Sequence, residues 1–166
     1  VAIFFRKHEA KWFYPTRAQY RADLMQWELA IRDLGEAINH GDRDPRWHQM
    51  RAEACAEVGN LDQAIDDFQA ALESDPALTI AREELCDALL ARSRPGDRET
   101  YFEHLRMLIE RARHQDTPEN VNSAGWYASL LADSPTDIDL SALLALVHAK
   151  AVAAEPQRYD FLSTYG

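Results

Sequence analysis

The stretch NLDQAIDDFQAAL, residues 60–72, repeats an earlier one, QWELAIRDLGEAI, residues 26–38, at a distance of 34 positions. Ala30 aligns with Ala64, Ile31 with Ile65, Asp33 with Asp67 and Ala37 with Ala71, while Trp27, Leu34 and Ile38 meet Leu61, Phe68 and Leu72. The register reaches back to Arg17-Ala18 against Arg51-Ala52. In the later copy Ala64, Ile65, Phe68, Ala71 and Leu72 fall at i, i+1, i+4, i+7 and i+8, one stripe of an amphipathic helix.

Upstream of that stripe, a first helix is predicted from about Arg46 to Val58, and Gly59-Asn60 supplies the left-handed turn that reverses the chain. The second helix, about Leu61 to Ser74, stops at Asp75-Pro76 because the residue before a proline is pushed out of the helical region. Ala52, Ala64 and Ala71 let helix backbones approach closely while Phe68 fills the remaining space, so each copy presents the same relief to its neighbour. A period near 34 residues marks helical hairpin arrays, since one hairpin cannot bury its apolar face alone.

Four hairpins are predicted within a repeat domain spanning 13–166: about 14–41, 45–76, 77–115 and 117–156, with the start of a fifth at 157–166. The first has Met25 where the turn glycine is expected and Asp42 where the closing proline is. The third turns around SRPGD, 93–97, and has lost most of the small-residue code. In the fourth, Thr117, Pro118 and Glu119 read as an N-cap, a first-turn proline and an acidic first turn. Residues 1–12 read as a linker or the edge of a preceding segment, and the stop in the middle of a fifth first helix reads as a fragment of a longer protein.

With Ala52, Ala64, Phe68, Ala71 and Pro76 at the signature positions, RAEACAEVGNLDQAIDDFQAALESDP resembles the tetratricopeptide repeat, although Cys55 stands where an aromatic is usual and Trp47 one residue before the customary tryptophan. The resemblance implies an all-α, right-handed α-solenoid with the first helix of each hairpin lining a concave groove. DRETYFEHLRMLIE, NSAGWYASLLADSP and AVAAEPQRYDFLSTYG together are also similar to the C-terminal repeat tail of bacterial serine/threonine kinase or WD-type propeller proteins. Projected onto the groove are Gln19, Ala22 and Asp23 from copy one, Arg46, Gln49, Glu53, Ala56 and Glu57 from copy two, and Glu83, Cys86 and Leu90 from copy three, joined by Trp47 and Trp126 as anchors for a partner. This lining departs from the Lys/Asn pattern with which some members clamp a C-terminal carboxylate.

Other classes find little support. A formal charge of -10 and a pI near 5.0 disfavour nucleic acid, which rewards basic surfaces. The short apolar start VAIFF is neither a signal sequence nor a membrane span, and the chain is expected to be cytoplasmic. Cys55 and Cys86 lack CxxC spacing and read as small buried hydrophobes. No nucleotide, zinc-protease or hydrolase motif is present, and no two of the six histidines stand at i, i+3 or i+4. No cofactor, metal or catalytic residue is therefore expected. Asp62, Asp66, Asp67, Glu73 and Asp75, and likewise Glu83, Glu84 and Asp87, are expected on solvated helix faces. The expected role is a scaffold or adaptor that receives a peptide or helix with basic and hydrophobic residues. The alternatives are a self-association module bracing an attached kinase or propeller domain and an enzyme with a site near His148 and Glu155.

Overall fold

The computed structural model describes residues 2–41, 43–115, 117–130 and 145. Among these residues the regular structure is entirely α-helical, in seven helices: α1 Ala2–Asp23, α2 Trp27–Asn39, α3 Pro45–Glu57, α4 Leu61–Ser74, α5 Thr79–Arg92, α6 Asp97–His114 and α7 Pro118–Ser129. The chain divides into two compact units, with the boundary between Arg98 and Glu99 just inside α6. The predicted second helix of hairpin four, 138–156, and the start of hairpin five lie outside the described residues, apart from residue 145, which is helical. Residues 2–12, set apart by sequence as a linker or edge, form the N-terminal half of α1, which runs on through Pro15 into the first repeat helix.

In the first unit each helix packs against the next, α1 on α2, α2 on α3, α3 on α4 and α4 on α5, and α3 also meets α5. The small residues hold the places expected of them: Ala18, Ala30, Ala37, Ala52, Ala64 and Ala71 are fully buried around Leu34 and Phe68. Hairpin boundaries are set by caps. Asp44 accepts from the Arg46 amide at 3.0 Å with Pro45 as the first helical residue, and Asn60 accepts from the Gln63 amide at 3.4 Å.

The turns of copies one and two share one backbone. Gly59 takes the left-handed conformation (φ 77°), its amide reaching Ala56 O at 2.9 Å and that of Asn60 reaching Cys55 O at 2.8 Å. Met25 adopts the same conformation (φ 56°), with Met25 N donating to Ala22 O and Gln26 N to Arg21 O, both at 2.8 Å. Methionine thus sits where a Cβ costs about 1 kcal/mol.

The expected solvated face fails at Asp67. Asp67 lies on the buried side of α4, only 3% exposed, and its counterpart Asp33 in α2 is 1% exposed. Each carboxylate receives a two-pronged arginine from the first helix of its own hairpin. Arg17 donates to Asp33 through Nε and Nη2, both at 2.6 Å, and Arg51 donates to Asp67 at 2.7 and 2.6 Å. Arg21 adds a third contact to Asp33 at 2.6 Å, and His48 Nδ1 lies 3.0 Å from Asp67. A planar guanidinium matches a carboxylate fork, which lets an otherwise apolar helix interface hold a charge. The Asp67 carboxylate in turn raises the Arg51 pKa, chiefly through these hydrogen bonds.

At the end of α5, Arg92 donates to Asp97 at 2.5 and 3.1 Å and to Asp62 at 2.9 Å, while Arg94 donates to Asp62 at 2.6 and 3.0 Å. The arginine contacts hold the carboxyl groups of both aspartates below the usual range. In the second unit, Leu105, Ala112, Val121 and Ala124 are fully buried or nearly so, and the buried Tyr101 hydroxyl of α6 donates to the Tyr127 carbonyl of α7. Thr117 caps α7, accepting from the Asn120 amide at 3.3 Å.

Candidate partner-binding face

The first helices of hairpins one and two, α1 and α3, border an open crevice of about 590 Å³. From α1 it takes Trp12, Pro15, Thr16, Gln19, Tyr20 and Asp23; from α3 it takes Arg46, Trp47, Gln49 and Met50. Five residues projected from sequence, Gln19, Asp23, Arg46, Trp47 and Gln49, thus converge on one crevice. Trp12 is 73% exposed and Tyr20 65% exposed, so large rings stand open to solvent where packing alone would bury them. Pro15 takes an amide out of the α1 ladder, and next to it the Thr16 hydroxyl donates to Trp12 O at 2.7 Å.

Polar groups rim this apolar crevice. Gln19 Nε2 donates to Asp23 at 3.0 Å, and Gln49 Nε2 donates to Glu53 at 2.8 Å. Arg46 is held by the cap carboxylate of Asp44, with Nη2 at 2.6 Å, and its guanidinium lies 5.7 Å from the centre of the Trp47 ring. Trp47 Nε1 is buried and has no hydrogen-bond partner among the described residues.

Structural comparison gives these observations a frame. MamA superposes with a TM-score of 0.64 at 11% identity over 89% of this chain and 79% of its own. The C-terminal part of a TPR repeat-containing protein from Cytophaga hutchinsonii gives 0.64 at 18% identity, over 92% of this chain and 59% of its own. The fold is that of a tetratricopeptide repeat array. The TPR2B domain of yeast Sti1, in a complex with pHsp70, matches at a TM-score of 0.49 and 18% identity over 88% of this chain and 98% of its own. No protein-family model and no curated protein matches the chain.

Within the tetratricopeptide frame the remaining projected residues divide. Glu53 and Glu83 are half-buried on α3 and α5, Glu57 is exposed at the end of α3 and Leu90 is half-buried on α5. Trp126 stands on α7, in the second unit, where it is 62% exposed. Cys86, projected onto the groove, is instead fully buried, as is Cys55; burial pushes their thiols up to about 12 and about 11. Cys86 lies one position beyond Leu85 on the packed side of α5, which the approximate projection missed.

Glu84 was placed on a solvated face by sequence, but it is half-buried, and its Oε2 is buried with no hydrogen-bond partner among the described residues. Burial, followed by the nearby charges of Glu53, Asp87, Glu83 and Glu57, pushes its carboxyl up to about 7. Burial also raises Glu53, against the lowering effect of the Gln49 hydrogen bond. Neither Trp12, assigned to the segment edge, nor Tyr20, inside the first hairpin, was among the residues projected onto the groove, although both line the crevice.

Among the described residues, no cluster of three or more His, Cys, Asp or Glu is arranged to hold a metal ion. Among the same residues no helix is long and apolar enough to cross a membrane.

Proposed function

We propose that this tetratricopeptide array is a scaffold or adaptor module that receives a peptide or helix of another protein on the groove face formed by α1, α3 and α5. The single observation that carries the reading is the apolar crevice between α1 and α3, where Trp12, Tyr20 and Trp47 stand at a mouth rimmed by Gln19, Asp23 and Gln49. Stacked repeats present extended preformed surfaces, so a partner segment is ordered against a rigid template at reduced entropic cost. Aromatic side chains around a crevice are the usual anchors of such contacts. Carboxylates along α3 and α5 favour a partner with basic as well as hydrophobic residues.

Selection from a displayed library of random twelve-residue peptides tests the reading. Enriched peptides are expected to bind with micromolar affinity and to lose at least tenfold with Trp47→Ala, provided the variant keeps its helical circular dichroism. A library that yields no binder, or binders indifferent to both Trp47→Ala and Trp12→Ala, overturns it.

A further inference from the structure

The caps of α3 and α5, Asp44 and Leu78, lie 34 residues apart, so the repeat register holds for the first helices even though the later turn has stretched. Thr16 and Met50, which line the apolar crevice, are therefore followed in register by Glu84, and Gln19 and Glu53 by Asp87. The register-equivalent positions between α3 and α5 bring in the carboxylates of Glu53, Glu57, Glu83 and Glu84 beside Gln49 and Met50. Glu84 lies within electrostatic reach of Glu53 and Glu57 on α3 and of Glu83 and Asp87 on α5. Gln49 links the two surfaces, lining the crevice while donating to Glu53 at 2.8 Å. On the rim of the crevice, the guanidinium of Arg46 already lies against Asp44 at 2.6 Å, so the charge offered to a partner is predominantly negative.

Neighbouring helices pack about 8–10 Å apart, and an extended chain advances about 3.3 Å per residue, so one step between surfaces corresponds to about three residues of a bound strand. Resting on the groove reading above, we infer that the occupant is an extended peptide with a large apolar side chain in the α1–α3 crevice and, three residues away, a lysine or arginine against Glu53 and Glu84. Its cation offsets the mutual repulsion of Glu84 with Glu53, Asp87, Glu83 and Glu57, while the apolar residue covers Trp12 and Tyr20. The two contacts together set both composition and spacing, which a general acidic surface does not.

The probe is a ten-residue Gly/Ser peptide bearing one Phe and, three residues away, one Arg, made in both orders and titrated against ¹⁵N-labelled full chain by NMR, which reads millimolar binding. The better order is expected to bind at least fivefold tighter than versions with Glu for Arg, Ser for Phe, or Arg adjacent to Phe. Glu84→Gln is expected to halve the preference or more, and Glu84→Lys to favour the Glu peptide. Equal affinity of the Arg and Glu peptides, or of the spaced and adjacent ones, overturns the inference while leaving the groove reading intact. Failure of every peptide, including those from the library, sinks both. A dimer by light scattering that buries Trp12 and Tyr20 places a second copy there and overturns the inference.

Discussion

Hairpins α1–α2 and α3–α4 are nearly the same object inside and quite different outside. Both bury alanines at matching positions, both clamp an aspartate with a forked arginine, and both turn through a left-handed residue at the same register position, Met25 and Gly59. On the outer face of the first helices the register persists while the chemistry changes, from Thr16 to Met50 to Glu84. Docking one hairpin on the next fixes the buried relief, whereas the outer face is free to answer to a partner. The place where identical backbone carries different side chains is therefore where function is sought.

The largest effect expected from breaking this symmetry is loss of the buried clamp. Asp67→Ala strands Arg51 in a poorly solvated site and should cost about 3 kcal/mol in denaturant unfolding. Asp33→Ala should cost a similar amount, because it releases Arg17 and Arg21 as Asp67→Ala releases Arg51 and His48. A loss below about 1 kcal/mol in both variants would show that the shared clamp does not hold the hairpins together.

The clamp shows where sequence reading succeeds and where it fails. The 34-residue register, the hairpin α3–α4 and the alanine code were legible because close helix packing leaves little choice of side chain. Asp33 and Asp67 were visibly aligned with each other, and Arg17 with Arg51, yet hydropathy places a carboxylate on the solvent side. Only the geometry of two helices brings a guanidinium fork to it. The crevice was half legible: α3 contributed Arg46, Trp47 and Gln49 as projected, whereas Trp12 and Tyr20 of α1 were not projected into it. Glu84 was missed because neighbouring helices, rather than its own, set its burial.

Register positions 50 and 84 differ in charge, Met50 against Glu84. Glu84 titrates near 7 rather than 4.5, so between these values the folded chain retains a proton that the unfolded chain has released. Stability from this group is present in full below pH 4.5, declines as pH rises towards 7 and is lost above it. Glu84→Gln, or the register-matched Glu84→Met, should thus stabilise the protein by about 1–2 kcal/mol at pH 8, allowing for solvent screening, and hardly at pH 4. Thermal melts across that range check the sign; an E84Q variant no more stable at pH 8 than the parent removes the buried-carboxylate account.

Smaller still is the exchange of turn residues. Met25→Gly should stabilise by about 1 kcal/mol and Gly59→Met should destabilise by a similar amount, since both positions need a left-handed backbone that glycine adopts freely. Urea unfolding of the two variants reads both signs. Identical responses would mean that the turns are not equivalent.

The four tryptophans allow the most direct test of the binding face, since Trp12 and Trp47 line the crevice while Trp27 lies on α2 and Trp126 on α7. In ¹H–¹⁵N spectra recorded during titration with a library-selected peptide, the indole resonances of Trp12 and Trp47 should shift together and saturate at one affinity, with Trp27 and Trp126 unmoved. Shifts confined to Trp27 or Trp126, with Trp12 and Trp47 unchanged at saturation, would contradict the account.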